Sequence, residues 1–189
     1  MAKVYEGNKI LQEKVLNGVE KLSDIVSSTL GPGGRNVLLQ QKDRRPIITK
    51  DGVTVARFVD FEDPFENAGA QILKQVSALT AHEAGDGTTT STLLAHRMLK
   101  ESQKYLSSGI SPTEMRRGME KASQDVISYV QEKAKTIQSI EDIENIATVS
   151  SNNDQVIGKI IAKAVDLAGK NGAITIEDSK SYETELDLT

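Results

Sequence analysis

The chain has 189 residues, 38% of them apolar and 26% charged, so it has the material for a packed core and lies outside the composition of disordered chains. A net charge of −4 excludes a general nucleic-acid binder, and the absence of cysteine excludes a disulfide scaffold or a thiolate metal site. No apolar run reaches membrane-spanning length, and the start MAKVYEGNKI lacks the apolar stretch of a secretory signal; an intracellular protein with no membrane or nucleic-acid partner is expected.

Asn8 is placed to cap a first helix, in which Leu11, Val15, Leu22, Val26 and Leu30 recur at helical spacing beside Val19 and Ile25. Gly31 and Pro32 stop it. NVLLQ and PIITK predict two strands around the charged turn QKDRR, whose Arg44, Arg45 and Pro46 suit an exposed edge. Asp51-Gly52, set between β-formers, reads as a further turn. A second helix is predicted from Pro64 to Gly85, with Phe65, Ala68, Ile72, Val76 and Leu79 as its apolar face. A third begins in a run of threonines and carries Leu93, Leu94, Met98 and Leu106 toward Gly109; His96 on it reads as structural. In SPTE, Ser111 caps, Pro112 takes the first turn and Glu114 can reach back; Met115, Met119, Ala122, Val126 and Val130 continue that helix. After a break near Lys133, two shorter helices are expected, about Ile140 to Val149 and Asp154 to Ala168, the first capped by Ser139 with Asp142. Asn171-Gly172 signals a turn, and AITIED alternates as a strand. The change in unit size predicts a domain boundary near residue 134.

Three stretches carry chemistry. In AGDGTTTSTLL, residues 84–94, Gly85 and Gly87 allow close backbone approach, and the helix that follows offers open N–H groups to an anion. Thr88, Thr89 and Thr90 add hydroxyls. Asp86 would repel phosphate unless a cation lay between them, as Mg²⁺ does when it is held by one carboxylate and phosphate oxygens. Read alone, the segment is first a helix capped by Asp86 or Thr88 after a Gly-rich turn; it is not a Walker loop. TLGPGGRNV, residues 29–37, can present bare backbone to a ligand or simply lead from helix to hairpin. In ITKDGVTVARF, residues 48–58, Lys50 could meet phosphate and Asp51 a metal-bound water, against the plainer turn. HEAGD lacks the second histidine of a zinc-protease helix, and there is no GxSxG.

These stretches, in this order and spacing, resemble the group I chaperonins, the GroEL or chaperonin-60 family. The resemblance continues through FENAGAQ (65–71), RRGMEKA (116–122), ATVSSNND (147–154) and GKNGAITIED (169–178), so it covers nearly the whole chain. It implies a mainly α fold with a small β element (α+β): residues 1–133 as the N-terminal part of an equatorial ATP-binding helical bundle with a β-hairpin, and 134–189 as the start of an intermediate domain. Thr29, Leu30, Gly31 and Pro32 would line the nucleotide, and Lys50 would lie near its phosphates. Asp86 would hold Mg²⁺, Gly87, Thr88, Thr89 and Thr90 would bind phosphate, and Asp51 would orient the attacking water. The resemblance further implies ATP-driven folding of unfolded client proteins, self-association into rings in which the hairpin at 36–49 pairs with a neighbouring subunit, the rings stacking in twos as in the family, a GroES-type co-chaperonin, and a cytoplasmic or organellar-matrix setting. Gly33 departs from the family's usual lysine. An apical domain and the returning segments with a second catalytic carboxylate are not in these 189 residues. The alternative is a short chaperonin-like protein without ATPase activity, acting as assembly or regulatory partner of full-length rings.

Overall fold

The computed structural model describes residues 5–41, 44–169, 172–177 and 184–187. Its contacts divide the chain into two compact units, Met1–Ser123 and Gln124–Thr189. The first holds α1 (Asn8–Ser27), β1 (Val37–Leu39), β2 (Ile47–Thr49), α2 (Gly52–Phe58), α3 (Pro64–Ala84) and α4 (Thr88–Ser107). The division falls inside α5 (Pro112–Lys133); α6 (Ile140–Ser150) and α7 (Gln155–Ala168) belong to the second unit. The fold is mainly α with one small β element, as expected.

The core of the first unit is aliphatic. Val19, Leu22 and Val26 of α1 meet Val55 and Ala56 of α2 and Ala70 and Leu73 of α3, with Ile25, Val37, Phe61, Ala95 and Leu99 packed around them. Each fully buried Val or Leu contributes about 1.5–3 kcal/mol. The α1–α3 crossing is unusually close, because a Cβ on Gly18 would overlap the carbonyl of Glu66, and one on Gly69 the carbonyl of Val15. This approach selects the buried stripe of α3, which is Gly69, Ala70, Leu73 and Ser77. The expected face is therefore corrected: Phe65 and Val76 are half-buried, while Ala68, Ile72 and Leu79 are exposed. On α4 likewise the buried residues are Thr92, His96 and Ser102, whereas Leu94 and Met98 face solvent. Glycine at the crossing allows α1 and α3 to pack closely, and that approach fixes which side chains of α3 are buried.

Helix ends follow local chemistry. Gly7, not Asn8, takes the N-cap of α1, with no side-chain cap. The Asp63 carboxylate caps α3, accepting from the N–H groups of Phe65 (2.8 Å) and Glu66 (3.2 Å), and pairs with Lys14 at 2.9 Å. Ser111 Oγ accepts from the Glu114 N–H at the start of α5. Ser139 and Asp142 form the expected capping box on α6, and Asp154 caps α7.

Two local expectations fail. Asp51-Gly52 is not a hairpin turn: Asp51 caps the short helix α2, because its carboxylate outcompetes a turn for the Thr54 N–H. AITIED forms no strand over its described residues, 173–177, where no neighbouring strand supplies hydrogen bonds; Asn171 and Asp178 lie outside the described residues. The β1–β2 hairpin is present, antiparallel, with Val37 opposite Thr49 and Leu39 opposite Ile47.

In the second unit α6 and α7 pack as a helical pair. Gly158 of α7 lies against Thr148 of α6, and Ala147, Ala162 and Ala164 are buried.

Candidate functional site

The link between α3 and α4 is Gly85-Asp86-Gly87. Gly85 ends α3 with φ 74° and Gly87 begins α4 with φ 82°, both left-handed positions that favour glycine. As N-cap, Gly87 has no side chain to offer, and α4 has no side-chain cap. Asp86 Oδ1 instead accepts from the Gly87 N–H at 2.6 Å. The first backbone bond of α4 runs from the Ser91 N–H to the Gly87 carbonyl, at 2.9 Å. The N–H groups of Thr88, Thr89 and Thr90 thus precede the helical ladder and stand as open donors at its positive end.

The hydroxyls divide in the same way. Ser91 and Thr92 donate back to the Thr88 carbonyl, at 3.0 and 2.8 Å. Those of Thr88, Thr89 and Thr90 make no hydrogen bond among the described residues, and Thr90 is exposed.

The turn after α1 approaches this region through Lys50. Thr29 is buried, and its hydroxyl donates to the Val26 carbonyl at 2.8 Å, so its side chain is turned inward. Leu30, Gly31, Pro32 and Gly33 are exposed, and Gly31 has φ 72°. The turn is closed by the N–H of Gly34 on the Gly31 carbonyl (3.0 Å) and the N–H of Arg35 on the Ser28 carbonyl (2.8 Å). A Cβ on Gly34 would overlap the Thr29 carbonyl and lie 2.9 Å from Lys50 Cε; the lysine stem therefore lies along the turn.

Asp51 follows, exposed. Its Oδ2 accepts from both the N–H of Thr54 (2.8 Å) and the hydroxyl of Thr54 (2.5 Å), while its own N–H donates to Thr49 Oγ1 at 3.0 Å. Oδ1 has no hydrogen bond among the described residues. The next residue, Gly52, is buried against Thr89: a Cβ there would overlap Thr89 Oγ1 and lie 3.2 Å from Thr89 Cβ. Two close contacts, Gly34 with Lys50 and Gly52 with Thr89, thus draw together stretches far apart in sequence. Leu30, Pro32 and Asp86 join the group through the chain segments that carry them.

Gly34, Gly52 and Thr54 were not singled out in sequence. The signal for Thr54 was present as Asp-x-x-Thr, a cap followed by a hydroxyl three residues on. For Gly52 there was none, since it is required by Thr89, remote in the chain; Gly34 is required first by the Thr29 carbonyl of its own turn.

No group of three or more His, Cys, Asp or Glu side chains able to hold a metal gathers among the described residues. A cation at Asp86 would take most of its ligands from phosphate and water, the usual habit of Mg²⁺. The donor set fits such a complex: one exposed carboxylate, three unengaged hydroxyls and the open N–H groups of a helix start.

A model of the TCP-1/cpn60 chaperonin family matches residues 22–186. Among solved structures, the crystal structure of a group III chaperonin in the open state is similar at a TM-score of 0.69 and 24% identity, over 84% of this chain and 32% of that one. The chain spans about a third of the length of that chaperonin.

Proposed function

Because the chain belongs to the TCP-1/cpn60 chaperonin family, we propose that it is the Mg-ATP-binding portion of a protein-folding chaperonin subunit of group I type. The observation that carries this reading is the pair of contacts that sets Lys50, Asp51 and the turn over residues 29–34 beside the uncapped start of α4. Phosphates would lie against the N–H groups and hydroxyls of Thr88, Thr89 and Thr90, with Gly87 leaving room for them. Lys50 would offset phosphate charge. Leu30, Gly31 and Pro32 would pack against the nucleoside side, with Thr29 holding the turn from within. Mg²⁺, when bound at Asp86, would neutralise phosphate charge during transfer to water. Asp51, held at Oδ2 by Thr54, would present Oδ1 to the attacking water. The group I assignment rests on GPGGRN, KDGVTVA and GDGTTT read together.

Ring assembly, capture of unfolded clients and a GroES-type co-chaperonin belong to this reading of the longer subunit. The exposed Leu38 and Ile48 of the hairpin support self-association. In such a cycle ATP acts by binding one domain arrangement better than another.

The test is calorimetric titration of the 189-residue chain with ATP, with and without Mg²⁺. Binding that needs Mg²⁺, weakened about tenfold by Asp86→Ala, is the expected result. Failure to bind Mg-ATP, or binding indifferent to both changes, overturns it. Asp51→Asn keeps a helix-capping side chain and should leave affinity unchanged while removing what turnover the chain shows.

A further inference from the structure

The backbone of Gly52 sits at the first position of α2 with an ordinary helical conformation, since its φ lies outside the left-handed region. Nothing in its dihedrals calls for glycine. Its surroundings do: the space a Cβ would fill is occupied by Thr89 Oγ1, with Thr89 Cβ at 3.2 Å and Thr89 Cα at 3.5 Å. Thr89 is half-buried, and its hydroxyl has no hydrogen-bond partner among the described residues. It is also not sealed: the one fully enclosed side-chain polar atom without a partner, among the described residues, is Ser77 Oγ. An unengaged hydroxyl is thus held in a notch between the starts of α2 and α4.

We infer that Gly52 is a positioning residue for nucleotide binding, whose missing side chain keeps the Thr89 hydroxyl aimed at the phosphate site. The inference rests on the nucleotide reading above. A β-branched threonine has few χ1 wells. A methyl at position 52 denies it the present one and forces a rotation that carries Oγ1 away. The obstructed atom is the end of a side chain rather than backbone, so the methyl should redirect the hydroxyl more than it disturbs the fold. The glycines of the α1–α3 crossing differ, since there a methyl would meet backbone carbonyls.

The experiment is a double-mutant cycle on the full chain with Gly52→Ala and Thr89→Ala, read by Mg-ATP titration and by thermal unfolding. Thr89→Ala should weaken binding about tenfold, the scale of one hydrogen bond to a charged oxygen. Gly52→Ala should match it with little change in melting temperature, and the double variant should bind no more weakly than Thr89→Ala alone. Wild-type-like affinity in Gly52→Ala, or losses that multiply in the double variant, overturns the positioning role and leaves the nucleotide reading standing. Failure of the wild-type chain to bind Mg-ATP overturns both. If Gly52→Ala does not fold, the double variant decides, because Thr89→Ala removes the overlap. Affinity equal to that of Thr89→Ala supports the inference, and a further loss refutes it.

Discussion

Helices α1 and α5 have 20 and 22 residues and carry apolar side chains at the same helical spacing, yet they end in opposite environments. In α1, Val19, Leu22 and Val26 are at most 1% exposed and form the axis of the core. In α5 no residue is buried among the described residues, and Val126 and Val130 are 60% and 58% exposed. Periodicity therefore specifies a helix and its apolar face but not the partner of that face. Partnership depends on shape. Gly18 opens α1 to the backbone of α3, and the return is a core; on α5 a Cβ added at Gly118 would meet nothing within 4 Å among the described residues.

A substitution in the packed helix α1 should cost far more than one on α5. Leu22→Ala should cost about 2–5 kcal/mol of unfolding free energy, because it leaves a cavity in a close-packed site. Val130→Ala, which removes only exposed methyls, should stay within about 0.5 kcal/mol of wild type and should lower binding of an apolar dye. Urea unfolding of the two variants measures both. Equal costs would mean that α5 is covered in solution.

A somewhat smaller effect tests the shape argument. Gly69→Ala adds one methyl against the Val15 carbonyl, which cannot rotate away as a side chain can. A loss of about 1–3 kcal/mol by the same urea measurement is expected, although alanine is the better helix former. A stabilised Gly69→Ala would show that the crossing has room to spare and that the buried stripe of α3 has another cause.

These contrasts mark what was legible in the sequence. Features that depend on neighbours in the chain were: the Ser139–Asp142 box, the Asp154 cap, the stop at Gly85 and the pairing of β1 with β2. Features that depend on distant residues were not. The buried side of α3 is Gly69, Ala70, Leu73 and Ser77 and that of α4 is Thr92, His96 and Ser102, not the side of Ile72, Leu79, Leu94 and Met98, because the close approach at Gly69 sets which side of α3 meets α1. The segment AITIED carries a strand pattern without a strand partner. In the site, the three motifs stood out, but the choice between capped turn and ligand cradle was not available locally. The contacts of Gly52 with Thr89 and of Gly34 with Lys50, which bring the three motifs together, join segments remote in the chain.

The smallest expected effect concerns the one buried ionisable side chain among the described residues of the α1–α4 core, His96. Burial holds its imidazole below the ordinary 6.5, and Lys100 and Arg97 push in the same direction, while Glu20 and Asp24 oppose them. Folding therefore favours the neutral ring. The unfolded chain takes up a proton near pH 6.5 that the folded chain resists, so this contribution is complete above that pH and is lost as pH falls toward the folded value. Glu20 is held low by Lys100, Asp63 by Lys14, Glu101 by Lys104 and Asp142 by the N–H of Gln138 and by Ser139; each contributes stability that is present above its ordinary value of 4.5 (Glu) or 3.8 (Asp) and is lost as pH falls from there through the folded value. Unfolding free energy should thus decline modestly between about pH 7.5 and pH 5, and His96→Gln should flatten that decline. A slope that survives His96→Gln would shift the acid sensitivity to groups outside the core. A slope that vanishes ties it to the packed end of the comparison, where a proton must enter a space already filled.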